Sequence, residues 1–221
     1  MTTNLTVGVM QPYWAPYLGY FRLVHAVDIL VVLDDVQFPK RGFVHRNKFK
    51  KQNLSEDWFT LPLLKAKQKT LISDLEFHPN AGRLIENQRN RFPVLGSGFG
   101  VIDEYMRNLE GLVAPLLVDT IREFINRLGL ECHLVLSSEL NERNSHGQRK
   151  ILKLVKAVGG DRYVNPPGGR DLYDAAFFKK NGIQLKFLVP WQGGNLSILQ
   201  ECRENSDFRS ARRQIISQSV P

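Results

Sequence analysis

The sequence predicts an α/β protein, a Rossmann-like and mainly parallel sheet flanked by helices, and three observations carry that expectation. The stretch Val7 to Asn47 reads as strand, tight loop, helix, strand and then a basic loop. Short apolar runs alternate with amphipathic stretches through the second half of the chain, as far as Leu188. A composition of 43% hydrophobic and 24% charged residues over 221 positions is that of an ordinary soluble globular protein with one core. A single α/β domain is expected over residues 1–205. A basic C-terminal tail over 206–221 is expected to be solvated and frayed, with Arg209, Arg212 and Arg213 on it.

The elements follow in order. Val7, Val9 and Met10 form an apolar run that ends before Pro12 and Pro16, an amphipathic segment continues through Val27, and Asp28 opens the run Ile29 to Leu33. That is a βαβ unit. Loops at the C-terminal ends of neighbouring parallel strands face one crevice, so Gln11–Gly19 and Asp34–Asn47 are expected to converge there. Trp58–Leu64 reads as a strand with Pro62 at an edge or end, and Leu71–Phe77 as another short strand. Ala81–Phe92 has helical spacing. Between Tyr105 and Leu128 the residues Leu109, Leu112, Val113, Leu116, Leu117, Ile121, Phe124 and Ile125 keep a helical period, with Gly129 as the C-cap. Cys132–Leu136 is a strand closed by Ser137 and Ser138, Gly147–Val158 an amphipathic helix, Arg162–Asn165 a strand, Ala175–Asn181 a helix and Gln184–Leu188 the last strand. The loops 137–146 and Pro166–Asp171 then fall on the same C-terminal rim as the opening loops.

Charge and motif content narrow the function. The net charge is +8 and the isoelectric point near 9.6, which favours anionic partners: phosphates, nucleotide sugars, nucleic acid or anionic headgroups. Residues 39–51 hold Lys40, Arg41, Arg46, Lys48, Lys50 and Lys51 without an acid. The longest apolar stretch, Leu112–Val118, contains Pro115 and falls far short of the ~20 residues that span a bilayer, so an integral membrane protein is not expected. The first residues have neither a basic n-region nor an apolar h-region, and a cytoplasmic location is expected. Two cysteines, Cys132 and Cys202, supply neither a disulfide framework nor a Cys-rich zinc site, and no metal site is expected. The Gly-x-Gly-x-x-Gly, Walker A, His-Glu-x-x-His and Gly-x-Ser-x-Gly signatures are missing, which argues against a dehydrogenase, a P-loop enzyme, a zinc protease and a serine hydrolase.

The candidate site residues lie in these loops. Gln11, Tyr13, Tyr17, Gly19 and Tyr20 sit at the strand-to-helix turn, where backbone N–H groups and the helix dipole favour an anion; packing of a proline-rich aromatic turn is the alternative. Asp34 and Asp35 follow a strand, so alternation is expected to send at most one into the site, to bind a sugar hydroxyl or a metal or to act as general base; a strand-end turn pair is the plainer reading. Lys40, Arg41, Arg46 and Asn47 can grip phosphates and His45 can move a proton near neutral pH, unless the stretch is only a basic loop. His146 precedes a helix, where it, Asn144 or Ser145 can also serve as the N-cap. Gly168, Gly169, Arg170 and Asp171 can wrap a phosphate or carboxylate, with the Arg170 fork as a bidentate donor.

Two resemblances follow from these residues. Tyr17-Leu18-Gly19-Tyr20 is similar in place and spacing to the His-x-Gly-His site of class I nucleotidyltransferases and adenylating enzymes, with tyrosine at both histidine positions. A phenol cannot offer a cationic imidazole to a developing phosphate charge. Gln11-Pro12, Pro16, Gly19-Tyr20-Phe21, Asp34-Asp35-Val36-Gln37-Phe38, Lys40-Arg41, Arg46-Asn47, Ser137-Ser138, Leu140 and Pro167-Gly168-Gly169-Arg170-Asp171, with Tyr173-Asp174, together resemble the WbqC-like family. Trp191–Asn195 departs from a His- and Tyr-containing segment expected in relatives. The resemblance implies bacterial O-antigen and other surface-polysaccharide synthesis, with transfer of an amino acid, glycine in particular, to an amino sugar.

The leading expectation is a transferase whose substrate is a nucleotide-activated amino sugar. Arg46, Lys40 and Arg170 would hold the diphosphate, Asp35 or His45 accept the proton of the attacking amine, and Gln11 and Asn47 orient the substrate. Two alternatives stay open at this point. One is an ATP-dependent adenylating or ligating enzyme; the other is a non-catalytic protein whose basic face holds a partner enzyme, tRNA or an anionic membrane. No bound cofactor beyond a nucleotide or nucleotide sugar is expected.

Overall fold

The computed structural model describes residues 4–96, 103–104, 106–107, 109–142, 145–204 and 208–219. β1 (Thr6–Met10) is the central strand of a five-stranded sheet. Helix α1 (Leu18–His25) leads to β2 (Ile29–Val32), which pairs parallel with β1 from Val7↔Ile29 to Met10↔Val32. β5 (His133–Leu136) adds to the outside of β2, while β6 (Arg162–Asn165) and β7 (Gln184–Phe187) extend the sheet on the other side of β1. All four pairings are parallel, in the order β5-β2-β1-β6-β7. The expected Rossmann-like sheet is therefore present.

The strands read as near-continuous apolar runs because both faces of the sheet are covered. Val7, Val9 and Val31 face α4 (Gly147–Ala157) and α5 (Ala175–Lys180), packing with Ile151, Leu154, Val155 and Phe178. Leu30, from the alternate position of β2, joins the opposite core with Phe21 and Leu23 of α1 and with Phe124 of α3 (Val113–Arg127). Pro115 falls in the first turn of α3, where its missing N–H forfeits no helix bond. At the other end Gly129, at φ +60°, donates to the Asn126 carbonyl and Leu130 to that of Ile125, a Schellman arrangement that matches the expected cap.

Four segments differ from the sequence reading. The basic stretch expected as a loop includes β3 (Arg46–Lys50), paired antiparallel with β4 (Glu56–Thr60). Asn47 and Phe49 point inward while Arg46, Lys48 and Lys50 alternate outward, so a half-buried strand with one apolar residue looked like a charge run. Leu71–Phe77 is not a strand: it has a 3₁₀ turn at Ile72–Asp74 and isolated bridges at Leu71 and Phe77. Of the one or two helices expected between Tyr105 and Leu128, α3 forms from Val113 onward, whereas Leu109 to Leu112 are not helical, and Tyr105 lies outside the described residues. Between them α2 (Ala81–Arg89) forms as expected. At the C-terminus α6 (Ile198–Glu204) is followed by α7 (Phe208–Ser217), which buries Ala211 and Ile215 beside α1. The arginines expected on a frayed tail sit on the outer face of that helix, because Phe208, Ala211 and Ile215 recur at helical spacing.

The connections leave β1 in opposite senses. β1 runs to β2 through α1, and β5 returns through α4 past β1 to β6, so the chain reverses between β1 and β6. In open α/β sheets ligands bind outside the carboxyl ends of the strands at such a reversal.

Replacing Gly129 by alanine is expected to lower stability by about 1 kcal/mol, since the left-handed backbone must be kept while a Cβ is added. The nearest atom to that Cβ is 3.7 Å away, so the cost is conformational and not steric. Thermal or urea unfolding of Gly129→Ala against the parent measures it.

Candidate functional site

The loop after β1 is a junction. Trp14 is buried, donates its N–H toward the Phe43 and Val44 carbonyls (3.3 and 3.2 Å), and packs its ring on Phe49 and Phe59 of the hairpin. The expected convergence of this loop with residues 34–47 is thus real. Ala15, at φ +43°, has its carbonyl held by Asn47 Nδ2 at 2.6 Å and Ser197 Oγ at 2.8 Å. Asn47 is completely buried in that task.

Tyr20 is buried and donates its hydroxyl to the Gln11 carbonyl at 3.2 Å, while Tyr13 lies between the Tyr20 and Phe43 rings. Burial pushes the phenols of Tyr13, Tyr17 and Tyr20 above the usual tyrosine value. Tyr17 begins α1 without a side-chain cap bond. Gly19 is required by close approach: a Cβ there would lie 2.3 Å from the Tyr17 ring and 3.0 Å from Trp191. The Gln11 side chain is half-buried, with no hydrogen bond among the described residues.

After β2 the two aspartates do not diverge. Strand geometry ends at Val32, and Asp34 N–H turns back to the Val32 carbonyl at 3.0 Å. Both carboxylates therefore reach Ser137, at the end of β5: its Oγ lies 3.0 Å from Asp34 Oδ1 and 2.5 Å from Asp35 Oδ1. The single hydroxyl proton serves one carboxylate at a time. Ser138 donates from N–H and Oγ to the two Asp34 oxygens at 2.9 and 2.7 Å. Lys150 Nζ, from α4, meets Asp35 Oδ2 at 2.6 Å, and both side chains are buried. This cluster ties the ends of β2 and β5 to α4 and leaves neither aspartate free of partners.

His45 has a different environment. Its ring stands edge-on to Phe38, 4.9 Å between centroids, and lines a cavity of about 640 Å³ with Lys40, Lys65, Asn87 and Gln88. Nδ1 is buried with no partner among the described residues. Burial, and then the neighbouring Arg46 charge, lower its pKa to about 4, so the ring is neutral at physiological pH. Arg46 itself is occupied, donating to the Gly42 and Arg41 carbonyls at 3.2 and 2.5 Å with its guanidinium 4.2 Å over Trp58. Lys40 and Arg41 are exposed.

The remaining candidates lie along the rim. His146 is exposed at the N-cap of α4 and makes no cap bond; Asn144 lies outside the described residues. After β6, Gly168, Arg170 and Asp171 are exposed on the turn Pro167–Leu172, with Arg170 5.0 Å from the Phe187 ring. A Cβ on Gly169 would fall 1.9 Å from Asn165 Nδ2, so that side chain would have to move.

Sequence reasoning missed Lys150 and Arg22. Each is buried on a helix face otherwise made of apolar residues, Ile151, Leu154 and Val155 in one case and Phe21, Leu23 and Val24 in the other. A charge inside such a stripe is the signal that could have found them. Arg22 Nη2 donates to the Val189 carbonyl at 2.7 Å, and its guanidinium lies 5.4 Å from the Trp191 ring.

Compared with known proteins, residues 11–194 match the WbqC-like protein family. A relative in Mycobacterium tuberculosis, described as an uncharacterized protein, is 26% identical over 191 residues, covering 81% of this chain and 80% of the relative. No solved structure matches the chain. No helix among the described residues is long and apolar enough to cross a membrane.

Lys150→Met, which strands the buried Asp35 carboxylate, is expected to cost about 3–5 kcal/mol in urea unfolding. His45 adds a pH dependence. The folded ring has a pKa of about 4 against an ordinary 6.5, so in that window the unfolded chain binds the extra proton. Stability should fall as pH drops from 6.5 toward 4, and His45→Gln should flatten that slope in unfolding midpoints taken across the window.

Proposed function

The chain belongs to the WbqC-like protein family, and we propose on that premise that it is a cytoplasmic transferase of bacterial surface-polysaccharide (O-antigen) synthesis. It moves an acyl group, glycyl in the leading reading, onto the amine of a nucleotide-activated amino sugar. The observation that carries the reading is the His45 imidazole, held neutral in a cavity that Lys40 and Lys65 also line. A volume of about 640 Å³ falls within the roughly 300–1,000 Å³ of small-molecule sites.

In this reaction the amine nitrogen attacks the acyl carbonyl carbon, a C–N bond forms, and the bond to the activating group breaks with its electron pair leaving on that group. The proton lost by the amine passes to the neutral His45 ring. The ammonium groups of Lys40 and Lys65 supply two mobile point charges for the diphosphate, and the amides of Asn87 and Gln88 can bond sugar hydroxyls. Arg46, Asn47, Asp34 and Asp35 act as positioning residues in this scheme, since each is already bonded within the fold.

Calorimetric titration with nucleotide sugars, amino and non-amino, is expected to give saturable binding; a flat response across the panel would sink the proposal. His45→Gln should reduce the transfer rate by about 10²–10⁴-fold while the affinity for the nucleotide sugar changes little. The parental rate should fall on the acid side as the attacking amine takes up a proton, and fall more steeply near pH 4, where the His45 ring takes up its own. An unchanged rate in His45→Gln would remove His45 as proton acceptor.

A further inference from the structure

We propose that Arg22 is an anion-binding residue: Nε and Nη1, on different edges of its guanidinium, each donate to a carboxylate or phosphate oxygen of a ligand that enters the β1/β6 crevice beneath the segment carrying Trp191.

Arg22 is 2% exposed, and of its nitrogens only Nη2 has an acceptor, the Val189 carbonyl. Nε and Nη1 are buried with no partner among the described residues. A desolvated guanidinium with two unsatisfied nitrogens is expensive, and buried charges in native proteins are paired. Arginine does not escape by losing its proton at neutral pH, although burial lowers its pKa. The acceptors required by Nε and Nη1 are therefore supplied from outside the described chain.

Topology says where from. Residues 188–197 leave the end of β7 and return to the loop after β1, where Ser197 bridges Tyr17 and Ile198 N–H donates to the Pro16 carbonyl at 2.8 Å. β6 lies between β7 and β1, so this strap crosses the C-terminal end of β6 at the reversal point where α/β sheets bind ligands. Trp191 in the strap sits over Gly19 and the Arg22 guanidinium, packs half-buried against the main core, and donates its Nε1–H to the nearby Gly194 carbonyl at 2.9 Å. The residues around it, Val189, Pro190 and Gln192 to Asn195, are exposed. A strap fixed at both ends, with one aromatic ring over a cation that keeps two nitrogens unsatisfied, is a cover that an anion displaces to reach Arg22.

The probes are inorganic phosphate, pyrophosphate, acetate and glycine at fixed ionic strength, read by tryptophan fluorescence and calorimetry. The parent should give a saturable fluorescence change that is absent in Trp191→Phe. Saturation by phosphate or pyrophosphate assigns a phosphate source; saturation by acetate or glycine assigns a carboxylate source. Arg22→Met keeps the volume and removes the unpaired charge, so its unfolding midpoint should match or exceed the parent's while saturable binding is lost. Arg22→Lys keeps the charge without the spread of planar donors and should weaken binding roughly tenfold or more, and it carries the comparison if Arg22→Met does not fold. No saturable response in the parent, or parental affinity in Arg22→Met or Arg22→Lys, overturns the proposal. The measurement involves no turnover, so its outcome is separate from that of the His45 reading.

Discussion

Much of the candidate site depends on one carbonyl group, that of Ala15. It is buried in a left-handed turn that a non-glycine residue adopts at a cost of about 1–3 kcal/mol, and two donors from distant parts of the chain fix it there. Asn47 brings the hairpin and Ser197 brings the segment that follows β7. Trp14, one residue earlier, closes the arrangement by filling the aromatic cluster of Phe49 and Phe59. The loop after β1 cannot relax without releasing the hairpin and the strap together. This is why residues 38–45 form a defined cavity wall, and why the strap keeps its course over β6.

Polar side chains along the rim divide by whether the fold has already used them. Asp34, Asp35, Ser137, Ser138, Arg46 and Asn47 all have their hydrogen bonds met by neighbouring protein groups. They were the most conspicuous candidates in the sequence, and their geometry makes them the frame. His45 and Arg22 keep buried nitrogens without partners. Native structures tolerate few such groups, and each calls for an explanation. Inference from unmet hydrogen-bonding capacity therefore points to a different set of residues than inference from motif density.

What the sequence revealed follows the same physics. The opening βαβ unit, β5 to β7 and the helices α3, α4 and α5 were legible because a sheet covered on both faces leaves long apolar runs and periodic helices. β3 was hidden because its inward positions are filled by Asn47 and one phenylalanine, so the strand signal was outweighed by lysines and arginines. The aspartate pair was misjudged in direction because alternation applies only while the strand lasts, and the chain turns immediately after Val32. Arg22 and Lys150 were marked in the sequence only by a charge within an apolar stripe, and whether such a long basic side chain is buried is decided by tertiary packing. Trp191 was noted only as a departure, and its position over Arg22 required the path of residues 188–197 to be known.

The two buried cations show how differently one fold can treat the same electrostatic problem. Lys150 and Arg22 are both at least nine-tenths buried on helices that pack against the sheet. Lys150 meets a carboxylate of its own chain, and the pair offsets the desolvation of both partners within the folded protein. Arg22 meets a single carbonyl, so its desolvation is incurred on folding and is not offset until an acceptor arrives. Any anion that reaches it gains more than it would from an exposed arginine, because the guanidinium has already lost its water and its geometry is fixed by Val189 and Trp191. The first pair makes the sheet rigid whether or not a ligand is present. The second makes part of the stability of the β1 side conditional on one, which links folding energy to recognition at the point where the sheet reverses.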